Sequence, residues 1–498
     1  MSLAIIFSRA KAGINAPLVT VEVHISNGLP GLAIVGLPEA AVKESKDRVR
    51  SALINSHFEF PTRRITVNLA PADLPKEGGR FDLPIALGIL VASGQIPIKA
   101  IDSYEFLGEL ALGGDIRPIN GVLTAALSCS NDRRTLIIPA DNSEEAALID
   151  KLVVFAPNHL LQLTAHLLGK EALPSVSRPL TSTAPKYPDL AEVQGQHQAR
   201  RALEIAAAGR HNLLYIGPPG SGKTMLANRL PGLLPPLTNS QSLEVAALYS
   251  IAGIWQTKMW QRLPYRAPHH TASPAALVGG GSNPKPGEIS LAHHGILFLD
   301  ELPEFNRQVL EVLRQPLESG EIVIARAKEK LCLPAKFQFI AAMNPCPCGY
   351  LGDPNRHCRC TPDKVERYRS KISGPLLDRI DMHVPTQPLP AKLLTHPDIT
   401  ESTKIVRERV IAAKKLQHQR QQCDNAALSG DQLEQYCQLS DEDKDYLYET
   451  LSRLNFSARA YHRILRVART IADLSKQPAV QRSHLAEAIA YRNLDRGI

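Results

Sequence analysis

Short apolar runs punctuated by glycine and proline fill the first third of the chain. Residues 18–25 (LVTVEVHI), 32–37 (LAIVGL) and 65–70 (ITVNLA) read as strands, and residues 40–55 and 82–92 between them as helices. Residues 1–165 are therefore expected to form a compact α/β module. A proline- and serine-containing stretch without periodicity follows, and 166–188 reads as a linker. The pattern then changes. Residues 212–217 (NLLYIG), 295–300 (GILFLD) and 337–344 (FQFIAAMN) are nearly continuous apolar runs in strand–turn–helix units, which predicts a parallel sheet covered on both faces across 189–389. Across 390–498 apolar residues recur at helical spacing, at 406–422, 440–453 and 458–474, and predict a helical lid. The fold class expected is multidomain α/β.

Composition narrows the class. The chain has 498 residues, enough for two to four domains, and 44% of them are apolar, enough for substantial cores. The net charge of +8 permits an anionic partner without requiring one. No run of 18 apolar residues exists, which excludes a helical membrane span. The start, MSLAIIFSRAKAG, lacks the basic lead and long apolar stretch of a secretory signal, so a cytoplasmic protein is expected. Eight cysteines in that setting point to reduced thiols or a metal site.

The most specific motif is GPPGSGKT: Gly217, Pro218, Pro219, Gly220, Ser221, Gly222, Lys223 and Thr224. A predicted strand precedes it and a helix follows, the context of a phosphate-binding loop. The glycines let backbone N–H groups face phosphate oxygens, and the helix N-terminus adds its positive dipole end. Lys223 supplies charge to the β- and γ-phosphates, and the Thr224 hydroxyl is a Mg²⁺ ligand. Asp300 and Glu301 close the strand LFLDE at the same edge of the predicted sheet. Asp300 is expected to hold Mg²⁺ through water, and Glu301 to orient and polarise the attacking water of ATP hydrolysis. Asn344 ends a third strand and either positions that water, touches the γ-phosphate, or forms the turn before Pro345.

Cys346, Cys348, Cys358 and Cys360 form two C-x-C pairs around a nine-residue loop rich in turn formers. Four thiolates so close predict a structural Zn²⁺ site across 345–362, with His357 an alternative ligand. Arg356, Arg359, Lys364, Arg367, Arg369 and Lys371 surround it, either as contacts to DNA phosphates or as a solvated surface.

The phosphate loop, the acidic pair and the terminal asparagine resemble the AAA+ ATPases. Residues 267–305 (APHHTASPAALVGGGSNPKPGEISLAHHGILFLDELPEF) and 373–384 (SGPLLDRIDMHV) resemble the magnesium-chelatase-like subgroup. With the N-terminal module and the cysteine insert, the whole chain resembles the ComM/YifB family. That resemblance implies a homo-hexameric ATPase using ATP and Mg²⁺. It further implies a DNA helicase that drives branch migration on single-stranded and branched DNA during recombination, alongside recombination proteins. It makes Arg379 the arginine finger reaching a neighbouring subunit's γ-phosphate, and Arg459 the lid's sensor arginine, with Arg463 the alternative. It makes residues 321–335 a pore hairpin whose basic residues Arg326, Lys328 and Lys330 grip a nucleic-acid backbone by charge, and the glycine-rich loop near 279–285 a second pore candidate. A chelatase-type motor that remodels a protein is the competing reading.

Two further expectations concern charge and chemistry at the ends of the chain. Residues 17–121 resemble a ChlI-type domain with the Lon protease fold. Arg80 stands where a nucleophilic serine is expected, and residues 118–127 contain no lysine, so a serine–lysine dyad cannot be built and the module reads as non-proteolytic. Lys43, Lys46, Arg48, Arg50, Lys76 and Arg80 either give it a basic face or are consumed in salt bridges. In the lid, residues 453–496 carry nine Lys or Arg against three Asp or Glu, and Arg459, Arg463 and Arg466 predict a basic stripe suited to phosphates.

Overall fold

A computed structural model describes residues 3–36, 40–74, 76–177, 185–280, 285–325, 330–354, 356–389, 399–454 and 456–492. The chain divides into two compact units. One comprises Met1–Thr183, Asn239–Gln261 and Ala325–Leu333; the other comprises Ala184–Thr238, Arg262–Ile324 and Pro334–Ile498.

The first unit holds a seven-stranded mixed sheet in the order Gly31–Val35, Arg64–Ala70, Leu18–Ser26, Leu3–Arg9, Tyr104–Phe106, Thr135–Ile137, Val154–Phe155. Strand Leu18–Ser26 pairs antiparallel with both of its neighbours, and the other pairs are parallel. Alternate residues Val19, Val21 and Val23, and Ile65, Val67 and Leu69, are buried on one face, as the two-residue period of a strand requires. Helix Asp82–Ala92, buried along its whole length, packs on the central strands. Gly88 permits that approach, since a Cβ there would lie 2.4 Å from Val23 Cγ2.

Of the two readings left open for the cations of this module, three residues follow the inward one. Arg80 is 5% exposed and donates to the carbonyls of Arg9 and Asn120. Lys76 is buried and donates to the Pro71 carbonyl. Arg48 pairs with the buried Asp82 carboxylate at 2.7 Å. A buried cation must find acceptors, and here loop carbonyls and a distant aspartate supply them.

Helix Asn239–Ala252 follows the phosphate loop in sequence yet folds into the first unit. Ala246 and Ala247 enter a core with Val122, Leu123, Ala125, Ala126 and Cys129. The Ser250 carbonyl accepts from the Gly121 N–H at 3.0 Å.

The second unit is built on five parallel strands in the order Tyr265–Arg266, Ile296–Leu299, Gln338–Met343, Leu213–Ile216, Met382–Pro385. The three central strands are buried or nearly so throughout, the two-sided burial that their unbroken apolar runs predict. The register pairs Ile216 with both Met343 and Pro385, so the loops after these strands leave from one edge. The lid comprises helices Thr403–Gln421, Gly430–Tyr436, Asp441–Arg453, Ala458–Leu474 and Arg482–Ala490.

Two of the three residues of the predicted lid stripe, Arg463 and Arg466, are engaged inside this unit, as is Arg469 further along the helix. Arg463 pairs with buried Asp381 at 2.6 Å, Arg466 donates to the Leu428 carbonyl, and Arg469 pairs with Asp473 at 2.9 Å. Arg459 alone of these four is strongly exposed, 3.8 Å from Asp378. Among the described residues no helix is long and apolar enough to cross a membrane.

Candidate nucleotide site and cysteine cage

Strand Leu213–Ile216 runs into the phosphate loop, and helix Lys223–Ala227 leaves it. Gly220 and Gly222 take φ of +78° and +85°, the left-handed region that lets successive N–H groups face one side. Gly217 has no room for a side chain, because a Cβ would lie 2.1 Å from Thr386 Oγ1. The Gly217 N–H donates to the Met343 carbonyl at 3.2 Å, and the Ser221 and Thr386 hydroxyls are 2.8 Å apart. Gln196 braces the loop from below, donating to the Ser221 carbonyl at 3.0 Å.

Lys223 is 8% exposed. Its ammonium donates to the carbonyls of Gly217 and Pro218 at 2.7 and 2.9 Å and to Asn344 Oδ1 at 3.2 Å. Burial pushes it down to about 8, against the opposing pull of Asp300 and Glu301. Asn344 thus meets the phosphate-loop lysine directly, which a residue serving only the turn before Pro345 need not do.

The acidic strand completes the cluster. The Thr224 hydroxyl donates to Asp300 Oδ2 at 2.5 Å, which places two hard oxygen ligands side by side, a donor set that suits Mg²⁺. Glu301 adopts a left-handed φ of +52° and donates its N–H to Asp300 Oδ1 at 2.9 Å. The turn separates the two carboxylates: Asp300 faces Thr224, while Glu301 Oε2 lies 3.2 Å from His270 Nδ1.

Arg379 follows the short helix Gly374–Leu377. Its guanidinium donates to the Pro375 carbonyl at 2.5 Å and pairs with Glu318, not with the neighbouring Asp378 or Asp381.

The four cysteines converge. Sγ–Sγ separations are 3.4 Å for Cys346–Cys348, 3.7 Å for Cys346–Cys358 and 3.6 Å for Cys348–Cys358, and Cys360 completes the group within 4.8 Å. The edge of a tetrahedral zinc–thiolate site is about 3.8 Å for a Zn–S bond of about 2.3 Å, so the donor set fits Zn²⁺. Backbone N–H groups of Tyr350 and Arg359 hold the Cys348 thiol down to about 6, whereas, against backbone N–H groups that pull both down, burial and the neighbouring thiols push Cys358 up to about 12 and Cys360 upward. The cage also touches the phosphate loop. Gly349 has φ of +85°, and a Cβ on it would lie 2.6 Å from Pro219 Cδ. Arg356, Arg359, Lys364, Arg367 and Lys371 are exposed around the cage.

Strands Glu321–Ala325 and Lys330–Pro334 form a two-stranded sheet, with Lys330 on the second strand; Arg326 and Lys328 lie outside the described residues. Gly279–Gly280 pairs with Lys285–Pro286, and the intervening tip is likewise outside them.

Three residues were missed by sequence reasoning. Thr386 carried a faint signal, as a polar residue ending an apolar strand. Gln196 and His270 carried none, because their partners Ser221 and Glu301 lie 25 and 31 positions away.

Comparison with known families agrees with this architecture. The family described as magnesium chelatase, subunit ChlI, matches residues 189–394. Subunit ChlI of Mg-chelatase matches residues 21–142, and the ChlI C-terminal family matches residues 400–492. The chain is 52% identical over 507 residues to the uncharacterized protein YifB of Salmonella typhimurium, covering 100% of this chain and 98% of that protein. It is 50% identical over 507 residues to the competence protein ComM of Haemophilus influenzae, with the same coverage. An uncharacterized protein of Mycobacterium tuberculosis is 44% identical over 500 residues, 99% of each chain. The chain therefore belongs to the YifB/ComM family of magnesium-chelatase-like AAA+ proteins.

Proposed function

We propose that this chain is a hexameric ATPase that moves along DNA and migrates branches during recombination of incoming DNA. The carrying observation is the convergence of Lys223, Thr224, Asp300 and Asn344 at one edge of a parallel sheet, with Glu301 turned aside from Asp300. Phosphate-loop N–H groups and Lys223 bind the triphosphate, and Thr224 and Asp300 hold Mg²⁺. When bound, the ion neutralises phosphate charge. Glu301 accepts the proton of the attacking water, Asn344 fixes the lysine and the water, and Arg379 of a neighbouring copy meets the charge developing on the γ-phosphate. Arg459 serves as the lid sensor, since Arg463 is already committed to Asp381.

Full-length identity to a protein named for competence supports the DNA assignment, as do the basic residues Arg326, Lys328 and Lys330 of segment 321–335 and the exposed cations around the cysteine cage. ATP turnover should rise several-fold with single-stranded DNA at low salt and fall back as salt is raised. The protein should also move a four-way junction in an ATP-dependent manner. The chelatase name of the matched families favours a second reading, a motor that remodels a protein. Turnover stimulated by a protein partner and indifferent to every DNA would select it.

The cysteine cage supports zinc. Metal analysis of the purified chain should give about one zinc per chain, and Cys358→Ala should lower that well below one. Because Gly349 rests on Pro219, the same variant should bind an ATP analogue several-fold more weakly. A full zinc complement in Cys358→Ala would contradict the assignment.

A further inference from the structure

We infer that Arg463 is a positioning residue for the Arg379 finger: through Asp381, the lid of one copy sets the course of the segment whose arginine acts on a neighbouring copy's nucleotide. The inference rests on the ATPase reading above and deepens it, by assigning Arg463 to the finger side of the shared site and not to the cradle side.

The backbone that carries the finger is held from two directions. At the foot of the phosphate-loop strand, Asn212 Nδ2 donates to the Arg379 carbonyl at 2.9 Å, and the Asn212 carbonyl accepts from the Asp381 N–H at 3.0 Å. At the end of the lid, Arg492 is 1% exposed and donates to the Ile380 carbonyl at 2.6 Å and the Asp381 carbonyl at 3.4 Å. The Tyr491 carbonyl accepts from the His383 N–H at 2.6 Å, and His383 and Arg492 form a parallel bridge. The lid thus returns to the edge strand Met382–Pro385 just past the finger.

The Asp381 side chain joins the two. It is 5% exposed. Its Oδ2 accepts from the Asn212 N–H at 2.9 Å, and its Oδ1 accepts from Arg463 at 2.6 Å. His211 Nδ1 lies 3.8 Å from Oδ2, and His211 Nε2 lies 2.7 Å from the hydroxyl of Thr470, which shares the helix Ala458–Leu474 with Arg463. Burial pushes the Asp381 carboxyl up, but Arg463 and His211 outweigh it and hold the group below the usual carboxylate range. A carboxylate this deeply buried depends on its cation. Without Arg463 it must reach water or take up a proton, and the chain two residues past Arg379 shifts with it. Arg463 also has little freedom to serve its own copy's nucleotide, since leaving Asp381 would strand that buried charge. No described contact joins Arg463 to Lys223, Thr224 or Asp300, so its loss should spare nucleotide binding and fall on the finger.

The test uses full-length Arg463→Gln and Asp381→Asn, each alone and each mixed with Lys223→Ala or Arg379→Ala under conditions that exchange subunits. Steady-state ATPase activity and equilibrium binding of a non-hydrolysable ATP analogue are the readouts. Alone, each variant should lose about ten- to a hundredfold in kcat, the effect of a catalytic group misplaced by about 1 Å, and keep analogue affinity within about twofold of wild type. Lys223→Ala brings a correctly held finger, so its mixture with either variant should regain activity. Arg379→Ala brings none, so that mixture should stay as low as its components. The reverse pattern would place Arg463 over its own copy's nucleotide and overturn the inference. Wild-type kcat in Arg463→Gln would also overturn it, as would recovery with both partners or with neither. If Arg463→Gln fails to bind the analogue, Asp381→Asn decides by the same pattern, and a loss of analogue affinity in both overturns the inference. The mixture of Lys223→Ala with Arg379→Ala is the control. If it regains activity, a wrong pattern counts against Arg463 alone; if it stays inactive, or wild type hydrolyses no ATP, the reading of a shared ATPase site fails as well.

Discussion

Arg379→Ala should lower ATP turnover by about 10³- to 10⁵-fold while leaving nucleotide affinity close to wild type, the magnitude associated with an arginine finger. Within one chain the Arg379 guanidinium is held by Glu318 and the Pro375 carbonyl, and among the described contacts it touches no group of the phosphate cradle. Removing it therefore leaves Lys223, Thr224, Asp300 and Asn344 in their observed arrangement, so binding survives. Turnover should fail because the proposed finger would no longer meet the charge that develops on the γ-phosphoryl group. Arg379→Lys should rescue poorly, since a point charge on a flexible stem does not reproduce the planar fork. Steady-state kinetics and analogue binding on the same preparations separate the two effects. A loss of affinity as large as the loss of turnover would place Arg379 in the cradle's own framework.

Glu301→Gln should bind ATP as wild type does and turn it over about 10²- to 10⁴-fold more slowly. Glutamine preserves the length of the side chain, but it cannot accept a proton. Asp300→Asn should fail differently. Asp300 accepts from Thr224 and is proposed as part of the Mg²⁺ donor set, so its loss should weaken Mg²⁺-dependent binding as well as turnover. The Glu301 defect should carry through to DNA: the variant should hold a four-way junction without migrating it. Turnover equal to wild type would remove Glu301 from the chemistry.

Much of this was legible because the informative features are local. The alternation at Val19, Val21 and Val23 places them on one sheet face, and the unbroken runs before Gly217, Asp300 and Asn344 mark strands buried on both sides. The phosphate loop announces itself through its own glycines. The cysteines lie within fifteen positions of one another, and their convergence needs only a turn. What escaped depends on long-range packing. Helical spacing puts Arg463, Arg466 and Arg469 on one face, but nothing in it reveals Asp381, the Leu428 carbonyl and Asp473 waiting there. Lys76 and Arg80 look like surface cations because the carbonyls that satisfy them carry no side-chain signature. Helix Asn239–Ala252 is apolar nearly all round, which predicts burial without naming the core that buries it.

The claim that organises the account is that ATP is cleaved at a site completed by a second copy of the chain. Mixing two inactive variants tests it most directly. On the proposed roles, Lys223→Ala lacks a working cradle and keeps the finger, while Arg379→Ala keeps the cradle and lacks the finger. Each alone should be nearly inactive, and mixing them under conditions that exchange subunits should restore a measurable share of wild-type ATPase activity. A mixture no more active than its components, or an Arg379→Ala protein that matches wild type unaided, would contradict the shared site.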